Sequence, residues 1–438
     1  MHELPIVVIG GGLAGTEAAY QLACRGLPVQ LYEMRPQTPT PAHETDLLGE
    51  LVCSNSLKAD TLTTAHGLLK AEMRRLDSLV LRTADASRVP AGSALAVDRQ
   101  AFAAELTRAI EAEPNITLIR EEVKTLPHDR LAIVASGPLT SAALTEQIQR
   151  RLGGEHLYFY DALSPIIAAD SVDCSKTFMA SRYDVGGRDD YVNCPLDREG
   201  YERLWQALVE AECVQLHAFE KEIFFEGCLP VEELARRGPQ TLAFGPLKPV
   251  GLRVEAGAEP PHAVVQLRLE DRMRSAYNLV GFQTRLKYGE QRRIFRMIPG
   301  LEQAEFLRYG SVHRNTFLNA PRLLHPTLQA RSCPSLFFAG QITGVEGYME
   351  SAATGLLAGI NAAALIRQQP LQVPPAATAH GALVRYIAEA NADTFQPMNI
   401  HFGLLPPLAK PVRPKKARRE AMVAQALKEL EQWRQQIG

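Results

Sequence analysis

Two cysteines lie in settings where a thiol could do chemistry. Cys53 stands in the polar stretch "LVCSNSLK", among hydroxyl and amide side chains and close to Lys58. Cys228 stands in "FEGCLPVEELARRG", where a Gly-Cys-Leu-Pro turn leads into a predicted helix with acidic residues in its first turn. A nearby cation and a helix N-terminus both favour the thiolate, which is the nucleophilic form of cysteine. Each cysteine is therefore a candidate nucleophile, and an inert thiol is the alternative for either one.

A glycine-rich turn near the N-terminus predicts a dinucleotide site. Gly10, Gly12 and Gly15 form G-x-G-x-x-G between a predicted strand at residues 6–9 and a predicted helix. The first glycine permits a tight turn, the second lets a pyrophosphate approach the backbone, and the third allows close helix packing. Glu33 ends the next predicted strand 18 residues beyond Gly15, where a carboxylate can accept from ribose hydroxyls. The motif favours FAD or NAD over NADP, with an unliganded glycine turn as the alternative.

A second glycine cluster lies far downstream, in "FFAGQITGVEGYMESAATGLLAG". Its glycines surround a turn that opens a helix rich in small residues. A second helix N-terminus facing the nucleotide fits a flavoprotein, which must hold both a pyrophosphate and an isoalloxazine ring, so FAD is the expected cofactor. Close helix packing by glycine and alanine is the alternative. The predicted cofactor contacts are Gly10, Gly11, Gly12, Leu13, Ala14, Gly15, Glu33, Gly340, Gly347 and Tyr348.

Basic residues cluster in two places and predict contacts with a polyanion. Residues 268–296 include eight basic side chains against three acidic ones, interleaved with Tyr277, Phe282 and Tyr288, whose rings could stack on bases. Residues 410–419 include six basic side chains and no acidic one. A solvated surface face is the alternative for each cluster. The predicted RNA contacts are Arg285, Lys287, Arg292, Arg293, Lys415, Lys416, Arg418 and Arg419.

Composition excludes several other classes of protein. The 438 residues are 46% hydrophobic and 22% charged, which is typical of a globular chain with a sizeable core. The seven cysteines form no CxxC pair, which disfavours a disulfide framework, a zinc finger and a thioredoxin-type dithiol. No histidine or cysteine grouping has metal-site spacing, so no metal is expected. Without a signal-peptide pattern or an uninterrupted apolar run of about 18–20 residues, we expect a cytoplasmic protein that is not in a membrane.

The predicted elements that must position these residues alternate between strand and helix. A βαβ unit opens the chain, and strands and helices continue to a Gly-Pro turn in "LAIVASGP". From about residue 165 to 310 aromatic residues and scattered glycines indicate an inserted α+β domain, after which the α/β pattern returns. We predict an α/β fold: a Rossmann-like FAD-binding domain with a doubly wound parallel sheet, formed by residues 1–170 and 311–438. The inserted domain is residues 171–310, and a basic helix ends the chain.

Longer motifs resemble one bacterial enzyme family from end to end. They include "GGGLAGTEAA", "YEMRP", "LVCSNSLK", "VPAGSALAVDR", "FEGCLPVEELARRGPQTLAFGPLKPVGL", "VGFQTRLKYGEQ", "HRNTFLNAPRLL" and "GVEGYMESAATG". The chain resembles the folate- and FAD-dependent tRNA (uracil-5-)-methyltransferases. The resemblance implies that 5,10-methylenetetrahydrofolate donates a one-carbon unit, that reduced FAD carries it to C5 of the T-loop uracil of tRNA, and that NAD(P)H regenerates the reduced flavin.

The same resemblance implies roles for the two cysteines. Uracil C5 becomes nucleophilic when a thiolate adds at C6, and later elimination frees the product. By the family pattern Cys228 attacks C6 and Cys53 takes the C5 proton or assists its transfer; the reverse assignment stays open.

Three other functions remain as alternatives. One is the related flavoprotein that helps install carboxymethylaminomethyl groups on wobble uridines, which resembles a longer chain with a helical C-terminal domain. The others are a small-molecule flavin oxidoreductase and a non-catalytic flavin-dependent RNA-binding module.

Overall fold

A computed structural model describes residues 4–153, 156–187, 190–214, 229–252 and 260–437, and only the backbone of residues 156–161 and 313–314. Its strands, in chain order, are β1 (Ile6–Ile9), β2 (Val29–Tyr32), β3 (Ser56–Ala59), β4 (Arg88–Val89), β5 (Ala94–Val97), β6 (Ile116–Ile119), β7 (Ala132–Val134), β8 (His156–Ala162), β9 (Ile166–Ala168), β10 (Phe178–Met179), β11 (Tyr191–Leu196), β12 (Ala263–Leu269), β13 (Ala276–Leu279), β14 (Phe306–Arg308), β15 (Val312–Leu318), β16 (Gln329–Ala330) and β17 (Cys333–Phe338).

The α-helices of the described residues occupy most of the remaining regular structure. In chain order they are α1 (Leu13–Ala23), α2 (Ala65–Arg75), α3 (Leu79–Ala86), α4 (Arg99–Glu111), α5 (Ala142–Leu152), α6 (Arg198–Glu210), α7 (Val231–Arg236), α8 (Thr241–Phe244), α9 (Tyr288–Phe295), α10 (Ala320–Leu323), α11 (Tyr348–Ile366), α12 (Ala379–Glu389) and α13 (Lys415–Ile437).

The first sheet is the parallel sheet that the glycine motif predicts. Its strand order is β16-β17-β7-β1-β2-β6, and all its pairings are parallel except that of the edge strand β16. The apolar run of β1 is buried along its whole length, as expected for a strand covered on both faces. The carboxyl ends of β1, β2 and β7 therefore meet at one edge, which is where doubly wound sheets bind ligands.

The second sheet is antiparallel and has a separate hydrophobic core. Its order is β10-β11-β12-β13-β9-β14, so its strands come from residues 166–308. Its core is distinct from the core around the first sheet and includes residues of α6, α7 and α9. Of two smaller sheets, β3-β5-β4 comes from the chain between β2 and β6 of the first sheet, whereas β8 precedes and β15 follows the strands of the second sheet.

One predicted helix is divided in the structure. The pattern of residues 66–82 predicts continuous helix, but α2 ends at Arg75 and α3 begins at Leu79. Between them Asp77 has a φ of +55°, and the hydroxyl of Ser78 caps α3 by accepting from the N–H of Leu81. A residue in the left-handed conformation cannot continue an α-helix, so α2 ends before Asp77. Serine is a favourable N-cap residue, so a new helix begins after Ser78.

Helix α11 is apolar and nearly all buried. By length and composition alone it could cross a membrane, although its apolar run is interrupted by Glu350 and Asn361. Of its most apolar stretch, 78% is buried inside the protein, where the helix packs along α1. The helix is therefore a core element of the fold.

Candidate active site

The glycine turn leaves an open space at one position and is tightly packed at two others. Gly10 has a φ of +108°, and a Cβ there would lie 2.4 Å from the carbonyl oxygen of Ala135. A Cβ on Gly15 would lie 1.8 Å from the carbonyl oxygen of Gly10. A Cβ on Gly12 would meet nothing within 4 Å, and Gly12 directly precedes α1, whose first turn has no side-chain cap. The turn thus presents free N–H donors to an open cradle, which fits a phosphate.

Glu33 is held as a charged group beside this turn. Its Oε2 accepts from the N–H of Gly11 at 2.9 Å, and its Oε1 accepts from the Arg35 N–H and from Arg35 Nε at 3.0 and 2.9 Å. Burial alone would raise the pKa of Glu33, but the hydrogen bonds and charge of Arg35, with the Gly11 bond, lower it. A buried, oriented carboxylate at the end of β2 suits ribose hydroxyls.

The downstream glycines before α11 lie at two adjoining pockets, Gly340 at the pocket of the glycine turn and Gly347 at its neighbour. Gly340 has a φ of +83°, and its Cβ would lie 2.9 Å from the Cβ of Ala14. Gly347 has a φ of +114°, and its Cβ would lie 2.4 Å from Oε2 of Glu350. The helix-packing alternative also occurs, but at Gly355, whose Cβ would lie 2.1 Å from the carbonyl oxygen of Ala14. Gly355 therefore serves helix packing, while Gly340 and Gly347 line pockets as the cofactor prediction requires.

One pocket brings most of the predicted cofactor residues together. It is lined by residues 10–14, Glu33, Gly340 and Tyr348, together with residues 34–35 and 135–141. Gly15 packs behind it and Gly347 lines the neighbouring pocket. The cofactor contacts predicted from sequence thus surround one continuous cleft.

A second pocket adjoins the first and contains Cys53. It is also lined by Lys58, Leu163, Gln283 and Gly347. The two pockets share a wall whose residues are Val52, Pro138, Leu139, Gln341 and Tyr348. A ligand that extends along the cleft can therefore have one end on the glycine turn and the other near the thiol.

Tyr348 fixes the Cys53 loop, residues 50–58, from the side of α11. Its hydroxyl oxygen accepts the N–H of Cys53 at 2.7 Å and the N–H of Ser54 at 3.2 Å. The Cys53 sulfur lies 4.0 Å from the carbonyl oxygen of Ala162. Burial is the main cause that raises the pKa of Tyr348, and the proximity of Cys53 raises it further. The phenol therefore stays protonated.

The second sheet fixes the same loop from the other side. Nε and Nη2 of Arg268 donate to Asn55 Oδ1 at 2.8 Å and to Ser54 Oγ at 2.7 Å. The Asn55 amide in turn donates to the carbonyl oxygen of Leu269 at 2.7 Å. Arg268 is buried, so this member of the first basic cluster is a structural contact of the loop and does not face a polyanion. Sequence reasoning missed this role because the partners are more than 200 residues apart.

Arg99 is a further support of the Cys53 loop that sequence reasoning also missed. It forms an ion pair with Glu270 at 2.9 Å and bonds to the carbonyl oxygen of Leu51. Burial would lower the pKa of Arg99, but the charge and hydrogen bonds of Glu270 raise it. Lys58, the cation that the sequence placed near the thiol, lines the pocket and donates to Asn399.

Cys228 lies outside the described residues. The nearest described segment is α7, where the N–H of Val231 donates to the carbonyl oxygen of Gln283 at 2.7 Å. Gln283 lines the Cys53 pocket, so the chain that follows position 228 is adjacent to this pocket.

The predicted RNA contacts divide into buried and exposed residues. Arg285 is only 7% exposed and pairs with Glu233 at 2.5 Å, so the prediction that it contacts RNA is at odds with its burial. Lys287 pairs with Glu212 and Arg293 with Glu290, each at 2.6 Å, and both cations are exposed. The exposed Arg292 and the four basic residues at the start of α13 do not line the cleft.

No cluster of three or more histidine, cysteine, aspartate or glutamate side chains with metal-site geometry occurs in the described part of the chain. In the nucleotide pocket the charged Arg35 and Glu33 instead pair with each other, and outside the pocket linings Arg99 pairs with Glu270.

The fold and the cleft define a dinucleotide-binding α/β protein with a thiol pocket next to the nucleotide pocket. The family model described as "GIDA: Glucose inhibited division protein A" matches residues 5–370. A protein of Heliobacterium modesticaldum is 58% identical over 431 residues, which are 98% of each chain, and one of Geobacter sulfurreducens is 58% identical over 428 residues. Both are named methylenetetrahydrofolate–tRNA-(uracil-5-)-methyltransferase TrmFO. The chain belongs to this family, so the resemblance inferred from its motifs is confirmed.

Solved structures agree with the fold. GidA of Aquifex aeolicus in its form I crystal superposes with a TM-score of 0.71 at 17% identity, over 98% of this chain and 76% of that one. The form II crystal gives a TM-score of 0.70 at 16% identity. The predicted fold class, a Rossmann-like α/β fold, is confirmed.

Proposed function

We propose that this protein transfers a one-carbon unit from 5,10-methylenetetrahydrofolate, by way of reduced FAD, to C5 of the T-loop uracil of tRNA, forming 5-methyluridine. The observation that carries the proposal is the pair of joined pockets, one built on a dinucleotide turn and the other containing the Cys53 thiol. The names of relatives that match 98% of the chain support the donor and the acceptor. NAD(P)H is the proposed source of reducing equivalents.

FAD fits the first pocket. The open side of Gly12 and the free N–H groups at the start of α1 would hold the pyrophosphate, and Glu33 would accept from the ribose. The shared wall, which includes Tyr348 and Gln341, would hold the part of FAD that reaches the second pocket. When bound, FAD carries the one-carbon unit and supplies reducing equivalents.

The uracil must be activated because its C5 atom is too weakly nucleophilic to capture an electrophilic carbon. A thiolate that adds to C6 makes C5 enolate-like, and loss of the C5 proton followed by elimination of the thiolate releases the product. We assign the attack on C6 to Cys228 and the removal of the C5 proton to Cys53. The position of Cys53 supports its role, since Tyr348 and Arg268 hold its loop and the residue lines the pocket next to the shared wall.

RNA binding is assigned to cations away from the cleft, all of them exposed except the half-buried Arg419. Lys287, Arg292 and Arg293 on the second sheet's side, and Lys415, Lys416, Arg418 and Arg419 on α13, would contact phosphates of the tRNA. We retain the division into residues 1–170, 171–310 and 311–438 as part of the proposal, and we place the protein in the cytoplasm, where its tRNA substrate is.

The direct test measures transfer of labelled carbon from 5,10-methylenetetrahydrofolate to unmodified tRNA in the presence of FAD and NADH or NADPH. We expect label in 5-methyluridine at the T loop and none when the target uridine is replaced by cytidine. Label or modification at the wobble position would favour the related wobble-uridine flavoprotein. Flavin reduction without any product in tRNA would favour a small-molecule oxidoreductase.

The cysteine roles are tested with tRNA that carries 5-fluorouracil at the target position. Fluorine replaces the proton that must leave C5, so the thiolate adduct should persist and can be mapped by mass spectrometry. Cys228→Ala should form no adduct, whereas Cys53→Ala should form it and yet lose turnover on normal tRNA. An adduct mapped to Cys53 would reverse the two assignments.

A further inference from the structure

Three aromatic rings form a continuous stack that ends at the protein surface. The rings of Phe306 and Tyr309 are stacked with centroids 5.1 Å apart and planes at 11°, and those of Tyr309 and Tyr288 are 4.9 Å apart at 22°. At the inner end Phe306 contacts the fully buried Phe295. At the outer end Tyr288 is 62% exposed. A large, rigidly backed ring held in water is a feature that folding alone does not require.

The structure differs here from the sequence-based expectation. Tyr277, Phe282 and Tyr288 were all candidates for stacking on bases, but Phe282 is fully buried against Phe295 and Tyr277 is half-buried against the second core. Of these three rings, only that of Tyr288 is exposed. It stacks on the ring of Tyr309, a residue that no sequence motif indicated.

The stack is locked by an arginine. Nε and Nη2 of Arg292 donate to the hydroxyl oxygen of Tyr309 at 3.1 and 2.8 Å. In the described part of the chain no carboxylate lies within ion-pair distance of Arg292, so its charge is available to an anion beside the stack. Lys287 directly precedes α9 and Arg293 lies on it, but each pairs with a carboxylate, so Arg292 supplies the uncompensated charge. The outer ring therefore combines a fixed π surface with positive charge, which is how proteins bind single-stranded nucleic acid.

Helix α9 also ties this stack to the Cys53 pocket. The side-chain amide of Gln291 accepts the N–H of Gly310 at 2.8 Å and donates to its carbonyl oxygen at 2.9 Å. The next residue, Ser311, accepts the N–H of Leu163 at 2.7 Å, and Leu163 lines the pocket. The platform and the pocket are thus connected by short, buried hydrogen bonds.

We propose that the exposed ring of Tyr288 is a stacking platform for a base of the tRNA close to the uridine that enters the Cys53 pocket. The proposal rests on the proposed function for the identity of the RNA. Because Tyr309 and Arg292 hold the stack in place, little side-chain freedom is lost when a base docks. The charge of Arg292 favours an RNA over an apolar protein surface, since an apolar partner would leave that charge uncompensated.

The test compares tRNA binding by wild type, Tyr288→Ala and Tyr288→Phe, each loaded with FAD. Loss of the ring should raise the Kd for unmodified tRNA about tenfold, whereas phenylalanine, which keeps the π face, should stay within about twofold. With 2-aminopurine placed next to the target uridine, binding should quench fluorescence in wild type and Tyr288→Phe but not in Tyr288→Ala. Flavin absorbance and thermal stability should be unchanged in both variants.

Phe244→Ala is the matched control, because Phe244 is a 79% exposed aromatic residue of α8. It should bind tRNA like wild type.

Unchanged Kd and unchanged quenching in Tyr288→Ala would overturn the proposal. A change in the sedimentation mass of that variant would then assign the ring to a protein–protein contact. A wild-type protein that binds tRNA but does not methylate it would contradict the proposed function without affecting this inference.

Discussion

The glycine turn, residues 10–15, and the Cys53 loop both line the same cleft. They differ in the contacts that hold each of them in its conformation. The turn is shaped by contacts with the adjacent strands and helix, such as the approach of Gly15 to the Gly10 carbonyl. The loop is held by side chains from elements far away in sequence, chiefly Tyr348 and Arg268. The turn should therefore tolerate little change at its packed positions, whereas a loop that is held from outside can be loosened without loss of the fold.

The largest effect in this comparison is expected for Gly15→Ala. The added methyl group would overlap the carbonyl oxygen of Gly10, which is backbone and cannot move aside as the end of a flexible side chain could. We expect a loss of about 3 kcal/mol or more in the free energy of unfolding, with loss of bound flavin. Thermal unfolding of the flavin-free protein measures this loss, and wild-type stability would show that the turn is looser than the structure indicates.

Gly12→Asp should remove the cofactor but keep the fold. The new side chain would enter open space, so the flavin-free protein should unfold within about 0.5 kcal/mol of wild type. Its charge would occupy the place of the pyrophosphate, so the protein should purify colourless and inactive. A full complement of FAD, measured by its absorbance, would mean that the pyrophosphate binds elsewhere.

Arg268→Gln should affect the Cys53 loop without emptying the nucleotide pocket. It removes charged donors to Ser54 and Asn55, so the loop should sample positions unsuited to catalysis. We expect kcat for methyl transfer to fall about tenfold or more while the FAD content stays normal. Arg203→Gln, at an exposed arginine of α6, is the control and should leave kcat unchanged. Equal losses of FAD and activity would contradict the separation of the two regions.

Tyr348→Phe should give the smallest effect, because the ring that lines both pockets remains. The N–H groups of Cys53 and Ser54 lose their acceptor, which costs about 1–2 kcal/mol if no water replaces it. We expect kcat to fall by less than about tenfold, with FAD affinity nearly unchanged. Stopped-flow measurement of the rate at which the 5-fluorouracil adduct forms would show whether the step that slows kcat comes before or after thiolate attack.

The sequence alone determined the features that depend on neighbouring residues. The βαβ unit, the roles of Gly10 and Gly15, and the α/β class follow from local periodicity and from the steric demands of a tight turn, which nearby residues satisfy. The polar setting of Cys53 was visible in the same way. The family followed from longer motifs, and the sequence comparisons confirm it.

Only the tertiary structure decided which charged and aromatic residues face the solvent. Arg268 and Arg285 have the same sequence signature as Arg292, yet both are buried, because each meets polar partners on elements that the chain order does not bring together. Phe282 and Tyr288 are likewise indistinguishable in composition, but the packing of α9 against the second sheet buries one ring and exposes the other. Side-chain exposure depends on the sum of long-range contacts, and a single sequence does not specify those contacts by spacing alone.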